Sequence, residues 1–280
     1  MDRWRAVKFM VISTITFTLM NTVAKQLNDF NPYEIIFFRS LGSFLLCMFI
    51  LIRNRIPILG NQKSLLIARG ITGMIAMMMF FMALQKLPFG SAVALRYLSP
   101  IFAALLAVFI LQEKMYWQQY IFFALALSGV FLIKGFDIRV EGTGFIYILI
   151  SAFFSGIVYI IIRKIGSGDH PIVIVNYFMF VTTLVGGVLT IFYWQPPQGI
   201  EWLLFISLGI FGFMGQLYMT KAFQLEKANI IAPLKYLEVI NALIIGFFWF
   251  GEGYTFLSFL GIFVLIAGVF LNVIFKPKAA

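Results

Sequence analysis

The stretch Gly90–Glu113, GSAVALRYLSPIFAALLAVFILQE, is an apolar run of membrane length, and Asn229–Glu252 repeats it without a gap. Leu95-Arg96-Tyr97-Leu98 becomes Leu234-Lys235-Tyr236-Leu237, an offset of 235 − 96 = 139 residues. Phe109 becomes Phe248, Glu113 becomes Glu252, and Gly129 becomes Gly268. The same register pairs Lys25 with Lys164, Pro32 with Pro171, Gly60 with Gly199, Gly70 with Gly209, Gly73 with Gly212 and Gln85 with Gln224. Each match is weak alone, but a single register without insertions is the mark of a duplicated chain. The first copy spans residues 1–139 and the second 140–280.

The duplication constrains the fold because each copy holds an odd number of membrane spans. A helix needs about 20 mostly apolar residues to cross the hydrocarbon layer. Ten stretches qualify: 6–26, 33–52, 65–85, 91–111, 116–134, 144–163, 172–193, 202–222, 229–250 and 256–275. The chain is 62% hydrophobic and 11% charged, whereas soluble domains average roughly 45–50% and about 25%. Too little charge is available to cover water-facing helices. Five spans per copy turn the second copy upside down relative to the first, a recurrent plan of secondary transporters whose binding sites lie near the midplane. The expected fold is therefore an all-α integral membrane bundle of ten transmembrane helices in two five-helix inverted repeats.

Basic residues near the span ends set the orientation. With the N-terminus in the cytoplasm, the inner side carries Arg3, Arg5, Lys8, Arg53, Arg55, Lys63, Arg69, Lys114, Arg163, Lys164, Lys221, Lys227, Lys276 and Lys278. The outer side carries Lys25, Lys86, Lys134 and Arg139. This bias places both termini in the cytoplasm of a multi-pass protein of the plasma (inner) membrane. The basic start followed by apolar residues mimics a signal peptide, but no small-x-small cleavage site follows, so it reads as a retained first helix.

Charges inside spans cost at least ~2.5–3.5 kcal/mol each on insertion scales, so they call for a reason. Arg39 lies in the second span, Arg96 in the fourth, and Lys235 and Glu238 in the ninth. At 1.5 Å per residue, Arg96 and Lys235 fall roughly 5 Å from the midplane on opposite sides. They either frame a cavity for an anionic or zwitterionic solute, or are neutralised internally, Lys235 by Glu238 at i+3. Glu238 is also a candidate proton-coupling carboxylate. Tyr97 and Tyr236 follow the two cations and suit either a solute carboxylate or packing. Thr14, Thr18, Asn21 and Lys25 form a polar stripe on the first span, with Asn21 the preferred solute contact. Ser151, Ser155 and Tyr159 form another on the sixth. In the eighth, Gly209, Gly212 and Gly215 signal close helix packing, with Gln216 beside them as a further contact. Pro100 and Pro233 permit kinks. Glu113 and Glu252 suit capping at the start of a neighbouring helix.

The charge of +10 is a topology signal, since no soluble domain carries a basic face for nucleic acid. The single cysteine, Cys47, and single histidine, His170, form no metal or disulfide pattern. Catalytic signatures such as HExxH, GxSxG and the Walker loop are absent. The reading is not an enzyme, with no cofactor and no metal.

On these residues the chain resembles the EamA family of the drug/metabolite transporter superfamily. The likeness rests on Phe38-Arg39-Ser40, Arg69-Gly70, Ala83-Leu84, Tyr97-Leu98-Ser99-Pro100 through Glu113, and, in the second half, Ala222-Phe223 and Gly251-Glu252. It implies a ten-helix inverted-repeat bundle, alternating access, and a central cavity formed largely by spans 1, 3, 4, 6, 8 and 9. Family relatives carry amino acids, nucleotide conjugates, organic anions, vitamins or drugs. Multidrug relatives use a carboxylate in the first span, where this chain has Thr14, Thr18 and Asn21, which argues against cationic drugs. The expectation is a secondary transporter for a small, carboxylate-bearing metabolite, with lipid, solute and protons or a counter-solute as its partners. The fused halves suit a monomer or weak dimer. The alternatives are an amino-acid or drug exporter with a largely neutral cavity, and a facilitator or channel.

Overall fold

The computed structural model describes residues 2–110, 116–136, 142–225, 234–235 and 237–274, and these are helical almost throughout. The helices are α1 (Asp2–Gln26), α2 (Pro32–Arg53), α3 (Lys63–Lys86), α4 (Phe89–Arg96), α5 (Ser99–Ile110), α6 (Trp117–Phe136), α7 (Gly142–Ile165), α8 (Pro171–Tyr193), α9 (Glu201–Leu225), α10 (Leu237–Phe248) and α11 (Phe256–Ile274). Among the described residues, six helices are long and apolar enough to cross a membrane: Trp4–Gln26, Pro32–Arg53, Lys63–Lys86, Gly142–Ile162, Pro171–Tyr193 and Glu201–Ala222.

The bundle is turned inside out relative to a soluble protein. Leu45, Phe49 and Ile52 of α2 and Leu184, Val188 and Ile191 of α8 are exposed, while Asn21, Glu34, Arg39, Arg69, Gln216 and Glu238 are buried. Such a distribution is stable only where the solvent is lipid, because polar faces of membrane helices turn toward their neighbours. Tyr193, Trp194 and Trp202 gather at one end of α8 and α9 and are exposed, as interfacial aromatics are.

Local chemistry starts the helices at repeat-equivalent places. Asn31 accepts a hydrogen bond from the Tyr33 N–H at 3.1 Å, ahead of Pro32. His170 Nδ1 accepts one from the Ile172 N–H at 3.3 Å, ahead of Pro171. Pro at the first helical position loses nothing, since its N–H has no helical partner there. The following connections turn on Gly60 (φ +62) and Gly199 (φ +50), both left-handed and 139 residues apart.

Helix pairing follows the duplication. In repeat terms α1, α2 and α3 correspond to α7, α8 and α9, the α4–α5 pair to the ninth span, and α6 to α11. α1 packs on α9 as α3 packs on α7; α2 packs on α8, and α6 on α11. Exchanging each helix for its counterpart returns the same scheme. Small residues permit the approach. A Cβ at Gly42 would lie 2.8 Å from the Gly209 Cα, and one at Gly70 would lie 2.9 Å from Val181 Cγ2, the equivalent pair. Ser13 Oγ donates to the Gly215 carbonyl at 2.8 Å, and Ser151 Oγ to the Ala76 carbonyl at 2.7 Å, the acceptors again in register.

The fourth span is not one helix. It breaks after Arg96, and α5 begins at Ser99. Tyr97 and Leu98 donate to the carbonyls of Ala94 and Leu95, three residues back. Pro100 has no N–H to continue the ladder. In the ninth span Leu234 and Lys235 form a short 3-10 turn ahead of α10. The span expected at 229–250 thus has its described helix at Leu237–Phe248.

Candidate functional site

The repeated cations stand at the end of α4 and in the short turn ahead of α10. Arg96 closes α4, half-buried, with its guanidinium carbon 4.3 Å from the centre of the Phe80 ring. Lys235 is buried. Its Nζ donates to Tyr159 Oη at 3.3 Å, lies 3.5 Å from the Met219 sulfur, and faces the rings of Tyr97 and Tyr159 at 5.8 and 5.5 Å. Ser99, at the start of α5, hydrogen-bonds Tyr159.

The local neutralisation of Lys235 by Glu238 does not form. Lys235 precedes α10 rather than sharing its face, and takes Tyr159 and Met219 as partners. The Glu238 carboxylate instead accepts from Asn21 Nδ2 at 3.0 Å and from Tyr97 Oη at 2.9 Å. Three helices therefore meet at one buried acid: α1 through Asn21, the α4–α5 break through Tyr97, and α10 through Glu238.

The remaining candidates separate. Arg39 is buried on α2, its Nε donating to the Met20 sulfur at 2.9 Å and its guanidinium 5.6 Å from the Phe81 ring centre. Gln216 is buried on α9 with its Oε1 unpaired, as is Asn21 Oδ1. Tyr236 and Glu113 lie outside the described residues. On the α1 stripe, Thr14 and Thr18 bond back to their own helix. Of the α9 glycines, Gly209 meets α2, Gly212 meets Ser43 and Arg39, and Gly215 meets Phe17.

Arg69 escaped the charge reading. It was counted among the cytoplasmic flanking residues, yet it is buried, with its guanidinium carbon 4.4 Å from the Phe178 ring centre. α3 begins six positions earlier at Lys63, so nearly two turns separate Arg69 from the helix end. Tyr159 was legible as part of a polar stripe but not as the partner of Lys235, a contact that joins residues 76 apart.

One end of this centre is shut by a second polar cluster. Lys25 Nζ donates to the carbonyls of Leu84 and Leu87 at 2.8 and 2.9 Å, closing the end of α3. Glu252 accepts from the Phe89 N–H with both oxygens, at 2.7 and 2.8 Å, and Tyr254 Oη bonds to it as well. Glu252 therefore caps α4, a helix of the other copy rather than the next one in the chain. A cavity of about 240 Å³ lies among Lys25, Gln85, Leu87, Pro88 and Glu252.

The centre thus holds a buried acid bonded to an amide and a phenol, and two register-equivalent cations seated against aromatic rings, inside a bundle with an apolar exterior. Models of the EamA-like transporter family match residues 4–135 and 142–274. The chain belongs to the EamA-like transporter family. As such it is a multi-pass membrane transporter of small solutes, not an enzyme. This family member is 28% identical over 236 residues to the pseudopaline exporter CntI of Pseudomonas aeruginosa, covering 82% of each chain. It is 28% identical to solute carrier family 35 member G1 of Homo sapiens, over 87% of this chain and 72% of that one. It is 24% identical to the S-adenosylmethionine uptake transporter of Rickettsia prowazekii, over 86% and 83%. A crystal structure superposes with a TM-score of 0.70 at 15% identity, covering 97% of each chain, which supports the fold alone.

Proposed function

We propose that this transporter moves a small organic solute bearing a carboxylate or similar anion across the plasma membrane, by alternating access between the five-helix halves 1–139 and 140–280. Ten spans with both termini cytoplasmic fit the loop contacts. Asp169, between α7 and α8, accepts from the N–H groups of Asn61 and Gln62, between α2 and α3, at 2.6 and 3.0 Å. Both connections fall on the inner side in that topology. Glu252 and Phe89 meet on the outer side. The symmetric helix pairing is what two inverted halves produce.

The observation that carries the anionic reading is the allocation of charge at the centre. Glu238 is taken by Asn21 and Tyr97, leaving Arg96 and Lys235 with rings and hydroxyls as partners. Cations held this way in lipid are costly and are offset when an anionic solute arrives. Arg96 and Lys235 bind it, with Tyr97, Tyr236, Asn21, Arg39 and Gln216 as its further contacts. Glu238 couples its passage to a proton or counter-solute, since it ties α10 to α1 through Asn21 and to the α4–α5 break through Tyr97. The rings around Lys235 also favour a second reading, a largely neutral cavity with its charges satisfied internally.

Exchange in liposomes separates the two. Arg96→Ala and Lys235→Ala are expected to abolish exchange of a carboxylate solute while the proteins still elute as monodisperse species. Normal exchange by both would leave the neutral cavity as the reading.

A further inference from the structure

Two more cations sit beside the central pair, and their seats are related by the duplication. On one side of the bundle, α9 offers Gly212 to Arg39: a Cβ at Gly212 would lie 3.2 Å from both Cγ and Nε of Arg39. On the other, α3 offers Gly73, the equivalent of Gly212, and a Cβ there would overlap Arg69 Nη1 and approach the Phe178 ring. Phe178 is the equivalent of Arg39 (178 − 39 = 139). The second copy thus lost the arginine at this position, and Arg69 lays its guanidinium on the phenylalanine that replaced it. A cation occupies both seats, supplied by different residues.

Beyond the Met20 sulfur on Arg39 Nε and the rings beneath them, these guanidinium groups keep N–H edges without a protein acceptor. Arg39 Nη1 and Arg69 Nε and Nη1 are buried without a hydrogen-bond partner. A ring covers the face of a guanidinium but leaves its N–H edge free for a bidentate anion. Arg39 and Arg96 lie against the adjoining rings of Phe81 and Phe80 on α3, 5.6 Å apart, Arg69 stands on the same helix, and Lys235 faces Tyr97, the neighbour of Arg96. Among the described residues the interior holds Arg39, Arg69, Arg96 and Lys235 against the carboxylate of Glu238, while the other buried glutamate, Glu34, stands in the first turn of α2 and accepts from the Gln195 N–H. A lone monocarboxylate leaves most of this excess uncompensated.

We infer that the solute carries at least two separated anionic groups, one held at Arg96 and Lys235 and the other at Arg39 and Arg69, as in a small di- or tricarboxylate. This rests on the anionic reading above and narrows it. Arg96 and Lys235 are register equivalents, and so are the seats that Arg39 and Arg69 occupy at Gly212 and Gly73, so each pair draws its cations from two equivalent places in the duplicated bundle.

The test uses the purified full-length protein in detergent, with potassium acetate, succinate and citrate as probes at matched ionic strength. Ligands that bind only the folded state raise its melting temperature with concentration. Citrate is expected to give its half-maximal shift at a concentration at least tenfold below acetate, with succinate between them. In Arg69→Gln the advantage of citrate over acetate is expected to fall below threefold, and Arg69→Lys restores part of it. The empty Arg69→Gln protein is expected to melt no lower than the parent, since it loses an unpaired buried charge. Equal responses to the three probes in the parent, or none, overturn the inference, as does an Arg69→Gln protein that melts lower and keeps its citrate preference. If Arg96→Gln removes every response while Arg69→Gln removes none, the anionic reading stands and the second subsite falls.

Discussion

Gly129 on α6 and Gly268 on α11 give the sharpest test of the duplicated architecture. A Cβ at Gly129 would lie 2.5 Å from the Leu265 nitrogen and 2.6 Å from the Gly261 carbonyl oxygen. A Cβ at Gly268 would lie 2.5 Å from the Ala126 nitrogen and 2.7 Å from the Phe122 carbonyl oxygen. Each atom on one side is the 139-residue counterpart of the atom on the other. The obstacles are backbone, so no rotamer relieves them; the helices must separate by about 1 Å to restore a contact of ~3.5 Å. A gap of that size forfeits a quarter to a half of each dispersion contact along the seam, and overpacking costs ~1–3 kcal/mol. Gly129→Ala and Gly268→Ala should therefore each destabilise by ~1–3 kcal/mol and agree within about 0.5 kcal/mol. The double variant should cost less than the sum, by ~1 kcal/mol, because the second methyl enters a seam already opened. Reversible unfolding of the purified protein by SDS in mixed micelles reads all three. Single-variant costs differing by more than ~1 kcal/mol, or strict additivity, would refute a two-fold-related backbone seam.

Two further outcomes follow from the caps. Glu252→Ala leaves the Phe89 N–H and Tyr254 Oη without an acceptor and should cost ~2–4 kcal/mol in the same assay, the sum of a lost N-cap and a charge-assisted bond; Glu252→Gln, which keeps an acceptor, should cost less than half of that, and equal losses would show that charge rather than the bond matters. His170 lies outside the spans, and burial, then Lys221, holds its imidazole below the usual value of 6.5. Its cap on Ile172 is present when neutral, so the stability it adds is full above pH 6.5 and is lost as pH falls through the lower folded value. The melting temperature should drop more steeply from pH 7 to 5 in the parent than in His170→Asn, whose cap does not titrate, and parallel slopes would dismiss the cap as the cause.

What the sequence made legible is what periodicity and register encode. The offset of 139 appears again in the Pro starts of α2 and α8, the left-handed Gly60 and Gly199, and the glycine seam of α6 and α11. Hydropathy runs smoothly through Tyr97 and Lys235, so it could not mark where the backbone breaks; Pro100 carried that signal for the first copy. Pairing across the bundle was hidden for a different reason. Glu238 sits three positions from Lys235, and local spacing named that pair, but the chain is not yet helical at Lys235, so its Nζ goes to Tyr159 and the acid to Asn21 and Tyr97. Arg69 was obscured by a rule that counts distance in sequence, whereas burial is set by which helix face meets α8.

The places where the two copies differ are as informative as those where they agree. Packing positions such as Gly73 and Gly212 are held in both because the same helices meet there. Arg39 faces Phe178 in the register, and Arg69 faces Leu208, so neither buried arginine is demanded by a packing rule common to both halves. The other copy holds an apolar residue at each of these positions, so the duplicated packing does not itself require an arginine there. Within the chain the cost of burying these guanidinium groups is met only in part, by the Met20 sulfur and the rings of Phe81 and Phe178, and an acceptor for the remaining N–H groups has to come from outside it. An anion that passes through meets that condition, and Arg69→Gln is expected to be stable when empty and blind to the second charge of its ligand.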